Sequence, residues 1–308
     1  MKKFFLFPAL VAVSAFCLLS CNNKDKKDGD SQIITDVVME EPEHKQDAQT
    51  ITFSTPEPGA EEKLITIGQY KVRPEKAIFS ESGYYVFVGT VMEITKSSLN
   101  VGDTYTQSGS YTKDNEGTYN MEGVGSVSTN NEDNQATLTS EGGETIECPA
   151  VVEKPETTTT RNENNMARGW VPEGKVKVSI PSRGISTNVE ASLKKIADYL
   201  KEHDFNIDPA DYEGFDIDVI FFTMAGQTFV VTFKNSQAYI GGWNWENEPE
   251  GKFSYDFSSQ MGSELISGSA SGSLSFYQEA GVNKCKFVMA INVKDENANL
   301  NFTLKEAQ

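Results

Sequence analysis

The sequence predicts a mainly β protein with one amphipathic helix: a small antiparallel β domain followed by an α+β, β-rich domain. Three observations carry this. Short runs of β-branched and aromatic residues are separated by Gly, Ser, Asn and Asp at the roughly 8–12-residue spacing of antiparallel meanders, sandwiches and partial barrels. Apolar residues recur at helical spacing in one segment of the exported chain, 187–203. The 308 residues exceed the usual size of one domain, and an aromatic-free stretch at 149–169 divides them. Charge narrows the function: Lys+Arg 27 against Asp+Glu 45 gives -18, which repels phosphates and argues against a nucleic-acid partner.

In chain order, Lys2 and Lys3 precede an apolar run from Phe4 to Phe16. It falls short of the about 20 residues that a bilayer span needs, so residues 1–20 read as an export signal. The signal ends in Leu18-Leu19-Ser20-Cys21. This resembles the lipobox of bacterial membrane lipoproteins, with an aliphatic residue at minus three, a small one at minus one, then cysteine; Leu19 departs from the usual small residue at minus two. The resemblance implies cleavage before Cys21, a diacylglyceryl group on its thiol and an acylated (palmitate-type) amino terminus. Several acyl chains, at about 0.8 kcal/mol per buried CH₂, hold a domain on a membrane without a spanning helix. Asn22, where some bacteria place the Asp that retains lipoproteins in the inner membrane, leans towards the outer membrane, on its periplasmic or exposed side.

Residues 21–62 read as an acidic, disordered tether: four lysines stand against eleven acids, with Pro42, Pro56 and Pro58 and little apolar surface to offset ordering entropy. Thr50-Ile51-Thr52-Phe53 is the exception, a short strand able to join a neighbouring sheet. Residues 63–148 are the predicted antiparallel β domain, from Leu64-Ile65-Thr66-Ile67 through the strong β run Tyr84 to Val91 to Ala136-Thr137-Leu138-Thr139. Residues 149–169, with Pro155 and four threonines at 157–160, read as a linker.

The α+β domain, 170–308, opens with Trp170 and the alternating strand Lys175 to Ile180. Thr187 followed by Glu190 reads as a capping box, and Val189, Leu193, Ile196, Ala197 and Leu200 share one face of a helix over 187–203. Strands follow over 216–224, 228–233, 237–241, 252–257, 272–277, 284–293 and 299–304. Val219-Ile220-Phe221-Phe222 is apolar on both faces and so needs cover on both; the helix is the predicted cover on one.

A weak internal echo bears on architecture. Tyr111, Asp114, Glu116, Gly117, Tyr119 and Met121 match Trp245, Glu248, Glu250, Gly251, Phe253 and Tyr255 at a constant offset, the pattern of a hairpin whose turn needs Gly at positive φ. Convergent hairpins and a diverged duplication both produce it. The segments Tyr111 to Met121 and Gly251 to Phe257 resemble hairpins of lipocalin-like domains in bacterial lipoproteins, which implies small barrels; the helix at 187–203 departs from a plain barrel.

No catalytic set is visible. The histidines are His44 in the tether and His203 at a helix end, where the helix dipole suffices to explain an imidazolium. GxSxG, HExxH, GxxxxGK[ST] and CxxC are missing, and no catalytic residue, metal ligand or cofactor is assigned. Asp204-Phe205-Asn206-Ile207-Asp208 begins like a calcium loop, but Pro209 and Phe215 occupy the positions that require Gly and Glu. Cys148 and Cys285 form a candidate disulfide in an oxidising compartment, against the alternative of two buried thiols. Tyr239, Trp243 and Trp245 alternate beside Gly241-Gly242 and form a candidate ligand-binding face, against the alternative of core packing. These features predict a non-catalytic envelope lipoprotein that binds a small apolar or glycan ligand or a partner protein. The alternatives are a structural subunit of a surface complex and, behind it, a hydrolase with an unidentified acid pair.

Overall fold

The computed structural model describes residues 33–307 except 57–58, 60, 95–98, 131–133, 157–158, 236, 262–263 and 294–295, and no side chains at 257–268 or 291–296. The signal and Cys21 lie outside the described residues. The chain is mainly β, as predicted, and its strands close into two eight-stranded barrels.

After β1 (Ile33–Thr35), the first barrel takes β2 (Gln49–Phe53), β3 (Ile65–Ile67), β4 (Tyr70–Phe79), β5 (Tyr84–Ile94), β6 (Thr104–Lys113), β7 (Tyr119–Met121), β8 (Gly125–Asn130), β9 (Gln135–Ser140) and β10 (Thr145–Glu153). From β4 to β10 each strand pairs antiparallel with the next, and β2 pairs with both β10 and β4, which closes the ring; β3 lies outside it, on β4. A short helix, α1 (Arg161–Met166), leads to the second barrel: β11 (Gly169–Pro172), β12 (Val176–Ile180), β13 (Ile185–Val189), α2 (Leu193–Glu202), β14 (Ile217–Thr223), β15 (Thr228–Phe233), β16 (Ala238–Asn247), β17 (Lys252–Met261), β18 (Glu264–Glu279), β19 (Val282–Val293) and β20 (Glu296–Glu306). Here β14 to β20 form the meander and β11 closes it between β20 and β14. Each barrel is thus one leading strand, an insertion and a seven-stranded meander.

The sequence echo falls on equivalent strands, the third and fourth of each meander. Tyr111 faces Met121 in the first and Trp245 faces Phe253 in the second, and Gly117 (φ 87°) and Gly251 (φ 65°) close the turns. A side chain at Gly251 would meet the Leu274 carbonyl 2.0 Å away. This repeated topology is what a diverged duplication produces. The cysteines do not follow it: Cys148 lies in the seventh meander strand and Cys285 in the sixth.

Three sequence expectations need correction. The tether does not extend to residue 62. Ile33–Thr35 pairs with β18, and Gln49–Phe53 closes the first barrel because Ile51 and Phe53 complete its core. Between them residues 36–48 form a strap: Met39 is buried in the second core, and its N–H donates to Asn165 Oδ1 at 3.0 Å. The Asp47 carbonyl accepts from the Tyr119 hydroxyl at 2.7 Å on the first barrel. The linker at 149–169 holds the end of β10 and all of α1, whose capping box joins Thr160 and Glu163. The long helix begins at Leu193, not Thr187. Residues 185–189 are β-branched at alternate positions and fold back on β12 as a hairpin through Gly184 (φ 66°). Finally, the strand Val219 to Phe222 is covered on both faces: Ile220 and Phe222 share a core with the helix residues Leu193, Ile196, Ala197 and Leu200, as expected, and the other face, left without a cover in the sequence, packs Val219 and Phe221 against Ile78 and Val86 of the first barrel.

Candidate functional site

Alternation within the strands decides what each barrel can hold. In β16, Tyr239, Trp243 and Trp245 share one strand face, as their spacing requires, and that face is the inner one. They meet core, not space. Trp243 is 1% exposed, its indole N–H donates to the Thr223 carbonyl at 3.3 Å, and its ring meets those of Phe222 and Trp245. Tyr239 packs against Phe215 and Phe233, and burial, then Tyr212, pushes its phenol well above the ordinary value. Trp245 is half-buried against Phe253. Phe222 centres this packing, with ring centroids 5.0–6.4 Å from those of Phe229, Trp243, Phe253 and Phe287. Eight strands enclose a bore that side chains fill. The first barrel is filled likewise by Phe79, Tyr85, Phe87, Tyr111 and Tyr119.

The candidate disulfide does not form. Cys148 belongs to the first core and Cys285 to the second, both as buried free thiols, and burial raises both thiol pKa values. Native protein should therefore leave both unmodified by an alkylating maleimide, while denaturant without reductant exposes both; peptide mass mapping reads the result.

One concave surface lies where the barrels meet. There, Tyr84 from the first barrel and Val171, Val219 and Val282 from the second line an open groove of about 630 Å³. Tyr84 stands on the outer face of β5 because Tyr85 takes the inner one. Its ring lies over Phe221, centroids 6.2 Å apart, and Gly169 permits the approach, since a Cβ there would come within 2.4 Å of the ring. Burial, then the Asp218 carboxylate, raises the Tyr84 phenol pKa.

Charge on the rim is partly committed. Lys284 reaches Glu173 and Glu279, each at 2.7 Å, and the hydrogen bonds it donates to both carboxylates hold its pKa well above the ordinary value. Glu306 accepts from the Arg168 guanidinium and from Asn283. Asp218 and Lys305 line the same groove, are exposed, and make no side-chain hydrogen bond or ion pair among the described residues. They are uncommitted groups of opposite sign in the groove that Tyr84 lines.

No family model matches the chain, and no curated protein does. Among solved structures, the isotype 1 transferrin binding protein B of serogroup B Neisseria meningitidis is similar over 85% of this chain, at 10% identity and a TM-score of 0.25. The chain spans 63% of that protein's length. The two-barrel topology described above rests on this chain's own strand pairings.

The other sequence candidates have local duties. His203 caps α2, its Nδ1 2.9 Å from the Tyr199 carbonyl. Asp208 accepts from the Ala210 N–H at the turn that follows, and the described residues hold no cluster of three His, Cys, Asp or Glu fit for a metal. Tyr84, Asp218 and Lys305 were not singled out from sequence. Their signal was there only for Tyr84: two adjacent tyrosines in a buried strand must point to opposite faces, so one of them meets whatever lies outside the barrel.

Proposed function

We propose that this chain is a lipid-anchored, non-catalytic envelope protein that binds a partner protein through the groove between its barrels. The carrying observation is that both bores are filled by the chain's own aromatics, whereas the junction offers an open groove that presents the Tyr84 ring, three valines and uncommitted charges. The lipobox reading at Cys21 supports the anchor and the outer-membrane address, and among the described residues no helix is long and apolar enough to cross a membrane.

The test uses a photo-crosslinking residue in place of Val282 on the groove and, as control, of Val101 in the first domain, outside the groove, in living cells. A single adduct from position 282 that is absent from position 101 supports the reading. Tyr84→Ala and Asp218→Lys should each lower its yield about tenfold while moving the midpoint of urea unfolding little, since both side chains are at least partly exposed. Equal adducts from both positions, or none, overturn it.

A further inference from the structure

We propose that Glu81 is a protonation-dependent latch between the barrels, closing their junction when its carboxyl carries a proton and loosening it on ionisation. This concerns the junction itself and does not depend on what the groove binds.

Glu81 lies in the β4–β5 turn and is 1% exposed. Four pieces of chain converge on it. Its backbone carbonyl accepts from the His44 N–H of the strap at 3.0 Å, and its Oε1 accepts from the Met224 N–H of the β14–β15 turn at 2.8 Å. Its Oε2 is buried with no hydrogen-bond partner, and so is Oδ1 of Asn164 in α1. Both residues line one small void of about 10 Å³, together with Pro42, Lys45, Pro155 and Thr159. That is room for one water. Two buried acceptors without a donor thus belong to residues that border one void. A proton on Oε2 supplies a donor there, which a water in the void can pass on; a carboxylate leaves its charge buried without one, which is costly.

The charged groups around the latch do not neutralise it. From the strap, Lys45 lines the void but pairs with Glu41 at 2.5 Å, and His44 lies 3.3 Å from Asp47. The first barrel adds the Tyr111 phenol, whose hydroxyl donates to the Ser80 carbonyl, and Glu153, whose carboxylate approaches Gly226 in the β14–β15 turn. The void is otherwise lined by uncharged Pro155, Thr159, Asn164, Ala167 and Met224. Burial accordingly raises the Glu81 carboxyl from 4.5 to about 7, with backbone N–H groups, the nearby Thr223 hydroxyl and the Lys45 charge opposing it. The sign follows. Between 4.5 and about 7 the closed junction keeps the proton and the opened, hydrated one releases it, so closure weakens as pH rises through that window and levels off above it.

Hydrogen–deuterium exchange on the full chain in detergent, corrected for intrinsic rates, reads this at pH 5 and pH 8. Peptides covering the strap and Met224 should lose about tenfold in protection at the higher pH, while the β19–β20 ladder stays constant. Glu81→Gln, which is neutral at both, should abolish the difference. Should that variant fail to fold, infrared titration of the wild type follows the protonated-carboxyl band, which should vanish with the same midpoint as the loss of protection. Equal protection at both pH values, a Gln variant that loosens like the wild type, or a band that titrates apart from the loosening would each overturn the latch.

Discussion

A chain that begins at Lys63 should lose its first barrel. Composition marks residues 21–62 as dispensable, yet β2 lies within them and supplies the strand that joins β10 to β4. Deleting it withdraws Ile51 and Phe53 from the core, at about 2 kcal/mol each, and leaves the backbone groups of Lys76–Phe79 and Ala150–Glu153 as open edges. With β2 goes the hydrogen bond from Thr50 to the Ala225 carbonyl that ties the first barrel to the second, and the strap with Met39 is lost as well. The summed loss is comparable to the whole stability of a domain, about 5–15 kcal/mol. Chains 33–308 and 63–308, both without the lipid, make the comparison. The longer should resist protease; the shorter should be cut within residues 70–153 and should aggregate. Equal resistance and equal unfolding midpoints would mean that the barrel does not need its closing strand.

Thr50 to Phe53 reads from the sequence as a strand able to join a sheet, and it does; what the sequence does not show is that it closes a ring, and the reason applies to most of what was missed. The meanders were legible because their alternation is local: Ile217–Thr223, Thr228–Phe233 and Val282–Val293 lie within a few residues of their predicted bounds. Closure is not local. Gln49–Phe53 sits in an acidic segment whose average composition reads as solvated, and its apolar side chains are stabilised by strands up to 100 residues away. The Ser-rich run through β17 and β18 has too few apolar residues to announce itself, and is held by backbone pairing from Lys252↔Ser273 to Met261↔Glu264. Two Thr-x-x-Glu patterns read alike: Thr160 to Glu163 caps α1 although no apolar period follows it, while Thr187 to Glu190 caps nothing because its segment pairs with β12. The groove depends on how two barrels meet, which no residue pattern in either one encodes.

Trp243→Ala should destabilise the protein by about 3–5 kcal/mol, the cost of emptying a large aromatic site in a close-packed core. Trp243 is among the largest fully buried side chains, so its removal opens a cavity bounded by Phe222 and Trp245 and takes away the indole N–H that donates to the Thr223 carbonyl. Trp243→Phe keeps much of the volume and should cost less. Urea unfolding followed by circular dichroism gives both, with the slope unchanged if only stability moves. The outcome bears on function as well as packing. A ligand face of Trp243 and Trp245 would tolerate truncation, because such a face is open to solvent when empty; a loss below about 1 kcal/mol would therefore mean a hollow barrel and restore the carrier reading. A loss of several kcal/mol means that any binding defect of Trp243→Ala reports unfolding. Partner recognition is then to be read at Tyr84 and Asp218, whose removal leaves both cores intact.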